Sequence, residues 1–276
     1  MPDVTAHGID LHYIDSGSGS ASIVFAHGLL MNHSMFEAQR QALGVRYRVL
    51  AYDHRGQGDS APGSAYDMDC LTEDAVELIR ATASAPCHFV GLSMGGFVGM
   101  RLAARYPELV RSLCLLDSSA RAEPFANRLR YRVLNGLARV LGPGALVERM
   151  LPVLFGASFL SDPARAVERE RWSHHLKSLP QRIVGPVAGV VSREGIESEL
   201  KYIRCPTLVL VGDEDHTTPR SESEYIVANI ANARLEVIAP AGHSSSIEAP
   251  AAVTAALLQF LTEVDAKREV EAVLAA

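Results

Sequence analysis

Short apolar runs alternate along this chain with longer stretches of helical periodicity. Ser22–Ala26, Arg48–Tyr52, Cys87–Gly91, Ser112–Leu116 and Thr207–Val211 read as strands buried on both faces, because their apolar character is nearly continuous. Ile9–Ile14 alternates as a half-exposed strand does, and Leu235–Ile238 is a shorter run. Between them Met35–Leu43, Leu71–Thr82, Met94–Arg105, Ser221–Ile230 and Ala251–Val264 carry apolar residues at helical spacing. This order predicts an α/β fold with a mostly parallel sheet of about eight strands and helices on both faces.

The alternation stops between Leu116 and Thr207. Ser119–Leu200 is helical in pattern, with breaks at Gly142-Pro143, Gly156, Pro163, Pro180 and Gly185-Pro186. It holds 12 Lys/Arg against 8 Asp/Glu, a net of +4, so the rest of the chain carries 14 against 24, a net of −10. Such a shift inside a βα series predicts an inserted helical cap over residues 119–200, with 1–118 and 201–276 forming the core. The cap arginines admit two readings. Most charged helix positions face water. Alternatively one or more of these arginines point into the pocket and bind a substrate carboxylate; the spacing of Arg128, Arg132 and Arg139 allows one shared helix face above Ser93. Lys267–Ala276 reads as a continuing helix or a frayed tail.

The chain has 276 residues, 48% hydrophobic and 21% charged, with a formal net charge of −6. That composition is globular, and the negative sign argues against nucleic acid or an anionic membrane as the main partner. The opening Met1–Gly8 has no basic segment leading into an apolar run, and no stretch is apolar for long enough to span a bilayer. Cys70, Cys87, Cys114 and Cys205 are widely spaced, as reduced structural cysteines of a cytoplasmic protein are. The expected partner is a small-molecule substrate; the pattern does not define an oligomeric state.

Gly91-Leu92-Ser93-Met94-Gly95 is a G-x-S-x-G motif between a strand and an amphipathic helix. A tight turn there strains the serine backbone and exposes its hydroxyl above the strand ends. A serine hydroxyl needs a base. His243, in Ala241-Gly242-His243-Ser244, follows the strand Leu235–Ile238 and so falls on a loop at the same sheet edge. His174 and His175, in the cap, are weaker candidates for the pocket wall. The imidazole in turn needs a carboxylate. Gly212-Asp213-Glu214-Asp215 follows the strand Thr207–Val211; Asp215 is the choice because the turn to Pro219 points one acid back at the sheet, leaving Asp213 and Glu214 to water. Asp117, after Ser112–Leu116, is the rival. Gly28, after Ser22–Ala26, allows the Leu29 amide to face the site, with the Met94 amide as second oxyanion donor.

Ala26-His27-Gly28-Leu29, Asp53-His54-Arg55-Gly56-Gln57-Gly58-Asp59-Ser60, Val90-Gly91-Leu92-Ser93-Met94-Gly95-Gly96, Gly212 to Pro219, and Gly242-His243 with Glu248 and Pro250 together resemble the α/β-hydrolase superfamily. Within it the chain is most similar to small esterases, enol-lactonases and the non-haem perhydrolases. The resemblance implies Ser93, Asp215 and His243 as a triad, Leu29 and Met94 as oxyanion donors, and Asp53–Ser60 as a structural loop beside the oxyanion strand. A serine nucleophile disfavours the dehalogenase and epoxide hydrolase chemistries of aspartate relatives. No G-x-G-x-x-G, Walker loop, H-E-x-x-H or Cys/His cluster is present, so neither cofactor nor metal is expected. The expected reaction is hydrolysis of a carboxylic ester or lactone through an acyl-enzyme. C–C bond hydrolysis, perhydrolysis and a non-catalytic small-molecule receptor are the alternatives.

Overall fold

A computed structural model describes residues 3–275; Met1, Pro2 and Ala276, parts of the opening stretch and of the expected tail, lie outside the described residues. Eight strands form one sheet: β1 (Asp3–Ala6), β2 (Ile9–Ser16), β3 (Ser22–Ala26), β4 (Arg48–Tyr52), β5 (Cys87–Leu92), β6 (Val110–Leu116), β7 (Thr207–Gly212) and β8 (Ala233–Ile238), in the order β1-β2-β4-β3-β5-β6-β7-β8. The first two pairings, β1 with β2 and β2 with β4, are antiparallel, and every later one is parallel. β1 was absent from the sequence pattern. Its four residues have no apolar run and pair with β2 alone at the sheet edge.

The helices are α1 (Glu37–Leu43), α2 (Met68–Ala81), α3 (Met94–Arg105), α4 (Phe125–Leu141), α5 (Val147–Leu154), α6 (Ala157–Ser161), α7 (Ala166–Lys177), α8 (Val184–Val191), α9 (Arg220–Asn229), α10 (Ser245–Glu248) and α11 (Pro250–Ala275). The pleat of the central strands divides their side chains between two cores, since successive residues point to opposite faces. Ile23, Phe25, Val90 and Leu210 join one core, with residues of α1 and α11. Val24, Ala26, Phe89 and Val209 join the other, with residues of α2, α3 and α9. Each fully buried side chain of this kind contributes roughly 1.5–3 kcal/mol. Cys87 and Cys114 pack inside these strands as free thiols, and burial pushes the Cys87 thiol up to about 12, so it packs as a small inert hydrophobe.

α4–α8 all lie between the parallel neighbours β6 and β7. Their anchorage is uneven. Val147 and Leu154 of α5, Phe159 of α6, and Trp172 and Leu176 of α7 are buried in the same core as Phe36 and Leu257. α4, by contrast, buries only Ala138.

Candidate active site

β5 ends and α3 begins at Ser93, whose backbone sits at φ 51°, ψ −110°. That left-handed φ is costly for a residue with a Cβ and is sustained by its surroundings. Ser93 N–H donates to the Leu116 carbonyl at 2.8 Å, and the Ser93 carbonyl accepts from Phe97 N–H at 3.0 Å and Ser118 Oγ at 3.0 Å. The glycines of the motif exist for clearance. A Cβ on Gly91 would collide with the Gly95 carbonyl, and one on Gly95 with the Ala26 carbonyl of β3.

The loop after β8 brings His243 Nε2 to 2.9 Å from Ser93 Oγ. On the other side of the ring, His243 Nδ1 lies 2.9 Å from Asp215 Oδ2. An ionised carboxylate only accepts, so Nδ1 carries the proton and Nε2 is free to accept from the serine hydroxyl. Asp215 is itself held. Its Oδ1 accepts from the N–H groups of Thr217 at 2.8 Å and Thr218 at 3.0 Å, and its Oδ2 accepts from Thr218 Oγ1 at 2.8 Å. Burial alone raises the Asp215 pKa, but the facing His243 and these hydrogen bonds outweigh it and leave the carboxyl below its ordinary value. Burial likewise depresses His243, and the Asp215 charge and hydrogen bond reverse this, so its pKa rises.

Asp117 is also buried here but makes no bond to His243. Its Oδ1 accepts from Gly212 N–H at 2.8 Å, and its Oδ2 from Ser245 Oγ at 2.5 Å and Ser245 N–H at 3.2 Å. It therefore ties the end of β7 to the loop after His243. Burial, with the nearby Asp215 charge, pushes its pKa up to about 8. Asp213 accepts from Ala241 N–H at 3.0 Å, and Glu214 accepts from Ser158 N–H at 2.9 Å, so both secure loops.

Two braces were not legible as such in the sequence. Glu248, one residue of the family-like stretch, accepts from the N–H groups of Gly156 at 2.8 Å, Gly242 at 3.0 Å and Ser244 at 3.0 Å, clasping His243 from both sides. Thr218 holds Asp215. A carboxylate five residues after the histidine and a Thr-Thr pair after the acid are the only signals that could have marked them.

The loop after β3 carries Leu29. His27 Nε2 accepts from His54 N–H at 3.0 Å, so its proton is on Nδ1, which donates to the Gly28 carbonyl at 2.8 Å. Burial lowers the His27 pKa to about 4 and keeps it neutral. Gln57 Oε1 accepts from Leu30 N–H at 2.9 Å, and His175 Nε2 lies 2.9 Å from the Leu30 carbonyl. His174 is exposed. Among the described residues the amides of Leu29 and Met94 have no protein acceptor. One grouping has metal-ligand character: His12, His33 and Asp53, with donor atoms within 4.8 Å of one another. Asp53 Oδ1 is already occupied there by His33 N–H at 2.7 Å and Nδ1 at 3.0 Å, which makes the group a brace for the Asp53–Ser60 loop.

Ser93 and His243 open into a cavity of about 160 Å³ between the strand edge and the β6–β7 segment, room for on the order of ten waters. Its wall is mainly apolar and includes Leu29, Phe97, Leu134, Leu146, Val187 and Val190. Two arginines reach it. Arg193 is paired with Glu123 at 2.7 Å, and Arg149 is exposed. The arginines of 119–200 that reach the cavity are these two and not those of α4: α4 turns Tyr131, Leu134 and Ala138 to the cavity, while Arg128, Arg132 and Arg139 lie off its wall.

A family model described as the alpha/beta hydrolase fold matches residues 21–250. The chain belongs to that family and is a hydrolase. It is 30% identical over 259 residues to the protein named "Putative carbamate hydrolase RutD" of Caulobacter sp. (strain K31), covering 91% of this chain and 95% of the relative. Among solved structures it is similar to a thermophilic esterase from Thermogutta terrifontis, with TM-score 0.88, 29% identity and coverage of 95% and 98% of the two chains. It is also similar to the enol-lactonase from Burkholderia xenovorans LB400, with TM-score 0.88, 28% identity and coverage of 95% and 100%.

Proposed function

We propose that this hydrolase cleaves a neutral carboxylic ester or lactone through an acyl-enzyme, with Ser93 as nucleophile, His243 as base and Asp215 as orienting acid. The observation that carries the reading is the unbroken chain of hydrogen bonds from Ser93 through His243 to Asp215, at the floor of an apolar cavity. Ser93 Oγ attacks the carbonyl carbon while His243 Nε2 takes its proton. The carbonyl oxygen becomes an oxyanion, which accepts from the Leu29 and Met94 amides. Collapse breaks the bond to the alcohol oxygen, and His243 returns the proton to it. Water then repeats the sequence on the acyl-serine, releasing the acid and restoring Ser93. Asp215 stays ionised and stabilises the imidazolium. Residues 119–200 act as the lid, whose apolar inner wall favours neutral groups over charged ones.

The RutD relative's name makes a carbamate a second candidate, since its carbonyl presents the same electrophile. Fluorophosphonate labelling followed by peptide mass analysis tests the mechanism. One label on Ser93, absent after Ser93→Ala, is expected; labelling elsewhere with activity retained overturns it. Comparing kcat/KM for matched esters, lactones and carbamates ranks the substrates, and a carbamate leading that series overturns the ester assignment.

A further inference from the structure

α4 has two apolar faces, and only one of them belongs to the cavity. The second runs along its outside. Phe125, Leu129, Val133 and Leu137 recur at every fourth position, and Val140 and Leu141 continue the row. Phe125 and Val140 are each 81% exposed, Leu129 60% and Val133 57%. Of the twelve large apolar side chains left exposed among the described residues, six are these. Residues at i, i+4 and i+8 lie one above another on a helix, so the six form a continuous stripe along a helix of 17 residues, about 25 Å long.

The charges beside that stripe are all of one sign. α4 contains Arg128, Arg130, Arg132 and Arg139 and no acid. At 100° per residue, Arg130 falls on one border of the stripe, and Arg128, Arg132 and Arg139 fall on the other. Among the described residues none of the four has a carboxylate partner. The segment 119–200 is net +4, while the rest of the chain is net −10. The segment that carries this basic, apolar helix is therefore opposite in net sign to the rest of the chain.

We propose that the outer face of α4 docks onto an anionic lipid–water interface. The stripe would lie about 5–10 Å into the headgroup boundary, and the bordering arginines would meet lipid phosphates, as an interfacial amphipathic helix does. Both properties are required by this occupant. A nucleic acid would use the arginines but leave the stripe wet. A second copy of the chain would bury the stripe but bring two sets of four unpaired arginines together. The acidic remainder of the chain is repelled by the same surface, which selects the lid-first orientation. Because the inner face of α4 lines the cavity, docking would bring the cavity close behind the interface. Among the described residues no helix is long and apolar enough to cross the bilayer, so the attachment proposed is peripheral. The overall negative charge still disfavours long-range attraction to anionic membranes, and the inference concerns this one face.

Flotation of the full chain with vesicles of phosphatidylcholine alone, and of phosphatidylcholine mixed with phosphatidylglycerol, tests the idea without reference to catalysis. Binding to the anionic vesicles is expected, weakened by salt and weak on phosphatidylcholine alone. Leu129→Glu/Val133→Glu should abolish it. Arg128→Gln/Arg130→Gln/Arg132→Gln should weaken it by about fivefold per arginine. All five positions face outward or border the stripe, so circular dichroism of both variants should match the parent. Absence of vesicle binding overturns the proposal, as does binding that survives both variants. A dimer in light scattering that Leu129→Glu/Val133→Glu splits into monomers overturns it too, because a second copy would then cover the stripe.

Discussion

The strand-edge loops around Ser93 and the helix α4 face each other across one cavity, yet they are built on opposite principles. At the strand edge, polar groups are buried and paired. Asp215 accepts four hydrogen bonds, Glu248 accepts three backbone N–H groups, and Asp117 ties β7 to the loop after His243. Each is a high-stakes arrangement, because an unpaired partner left in low dielectric is costly. α4 buries one residue and leaves apolar side chains in water. The difference separates two demands. Chemistry needs atoms held to a fraction of an ångström, whereas a cover over a cavity needs only shape. Regions with few buried contacts open most easily, and α4 has one buried residue.

The largest effect should come from the strand edge. Ser93→Ala should lower kcat/KM by about 10⁴–10⁶ with little change in melting temperature, since the residue contributes backbone geometry that alanine retains. Wild-type esterase turnover by the purified variant would falsify the nucleophile assignment.

Asp215→Asn should follow, with a loss of about 10⁴ as the imidazole adopts the wrong tautomer. Asp117→Asn should cost less than that, because Asp117 makes no bond to His243, although the amide nitrogen cannot accept from Gly212 N–H or Ser245 N–H as a carboxyl oxygen does. If steady-state kinetics reverse this ranking, Asp117 is the acid. The pH dependence sharpens the same contrast. His243 must be neutral to accept the serine proton, and its pKa is raised. Activity should therefore fall as pH drops through an inflection above 6.5 in kcat/KM. Asp215→Asn removes the charge that raises it and should move the inflection down. Asp117, pushed up to about 8, binds its proton more tightly when folded. It contributes stability that is present at low pH and is lost as pH rises from its unfolded value toward 8. Thermal melts of Asp117→Asn should lack that part of the decline.

A stability comparison comes next. Arg55 and Asp74 form a buried bidentate pair at 2.6 Å for both contacts. Asp74→Ala strands the guanidinium and should cost about 3–5 kcal/mol in urea unfolding. Leu137→Ala on the outer face of α4 should cost under about 0.5 kcal/mol. Equal losses would mean that α4 is as firmly anchored as the core.

The smallest effect is a predicted invariance. Arg132 and Arg139 lie off the cavity wall. Arg139→Gln should leave unchanged the ratio of kcat/KM for a carboxylate-bearing soluble ester over its methyl-capped analogue. A shift in that ratio would restore the reading of α4 arginines as substrate ligands.

Much of this architecture is written locally in the chain. Seven strand runs and the G-x-S-x-G turn need no distant information, because periodicity records which positions of one element are shielded. Ser22–Ala26 and Met94–Arg105 coincide with their elements. Other boundaries move by a few residues, as β6 does in beginning at Val110, because the ladder runs on across the polar Ser112 and Arg111 and pairs Val110 with Cys87. β1 escaped because pairing at a sheet edge leaves no apolar signature.

What only the tertiary structure decided is which loops meet. Ser93 and His243 are 150 residues apart, and whether Asp117 or Asp215 faces the imidazole depends on where the loops after β6 and β7 turn. The roles of Glu248 and Thr218 are invisible until the N–H groups and carboxylate they hold converge. The direction of the α4 arginines follows from the rotation of that helix about its axis. A sequence lists both of its apolar faces, but only packing against the rest of the molecule selects which one is covered.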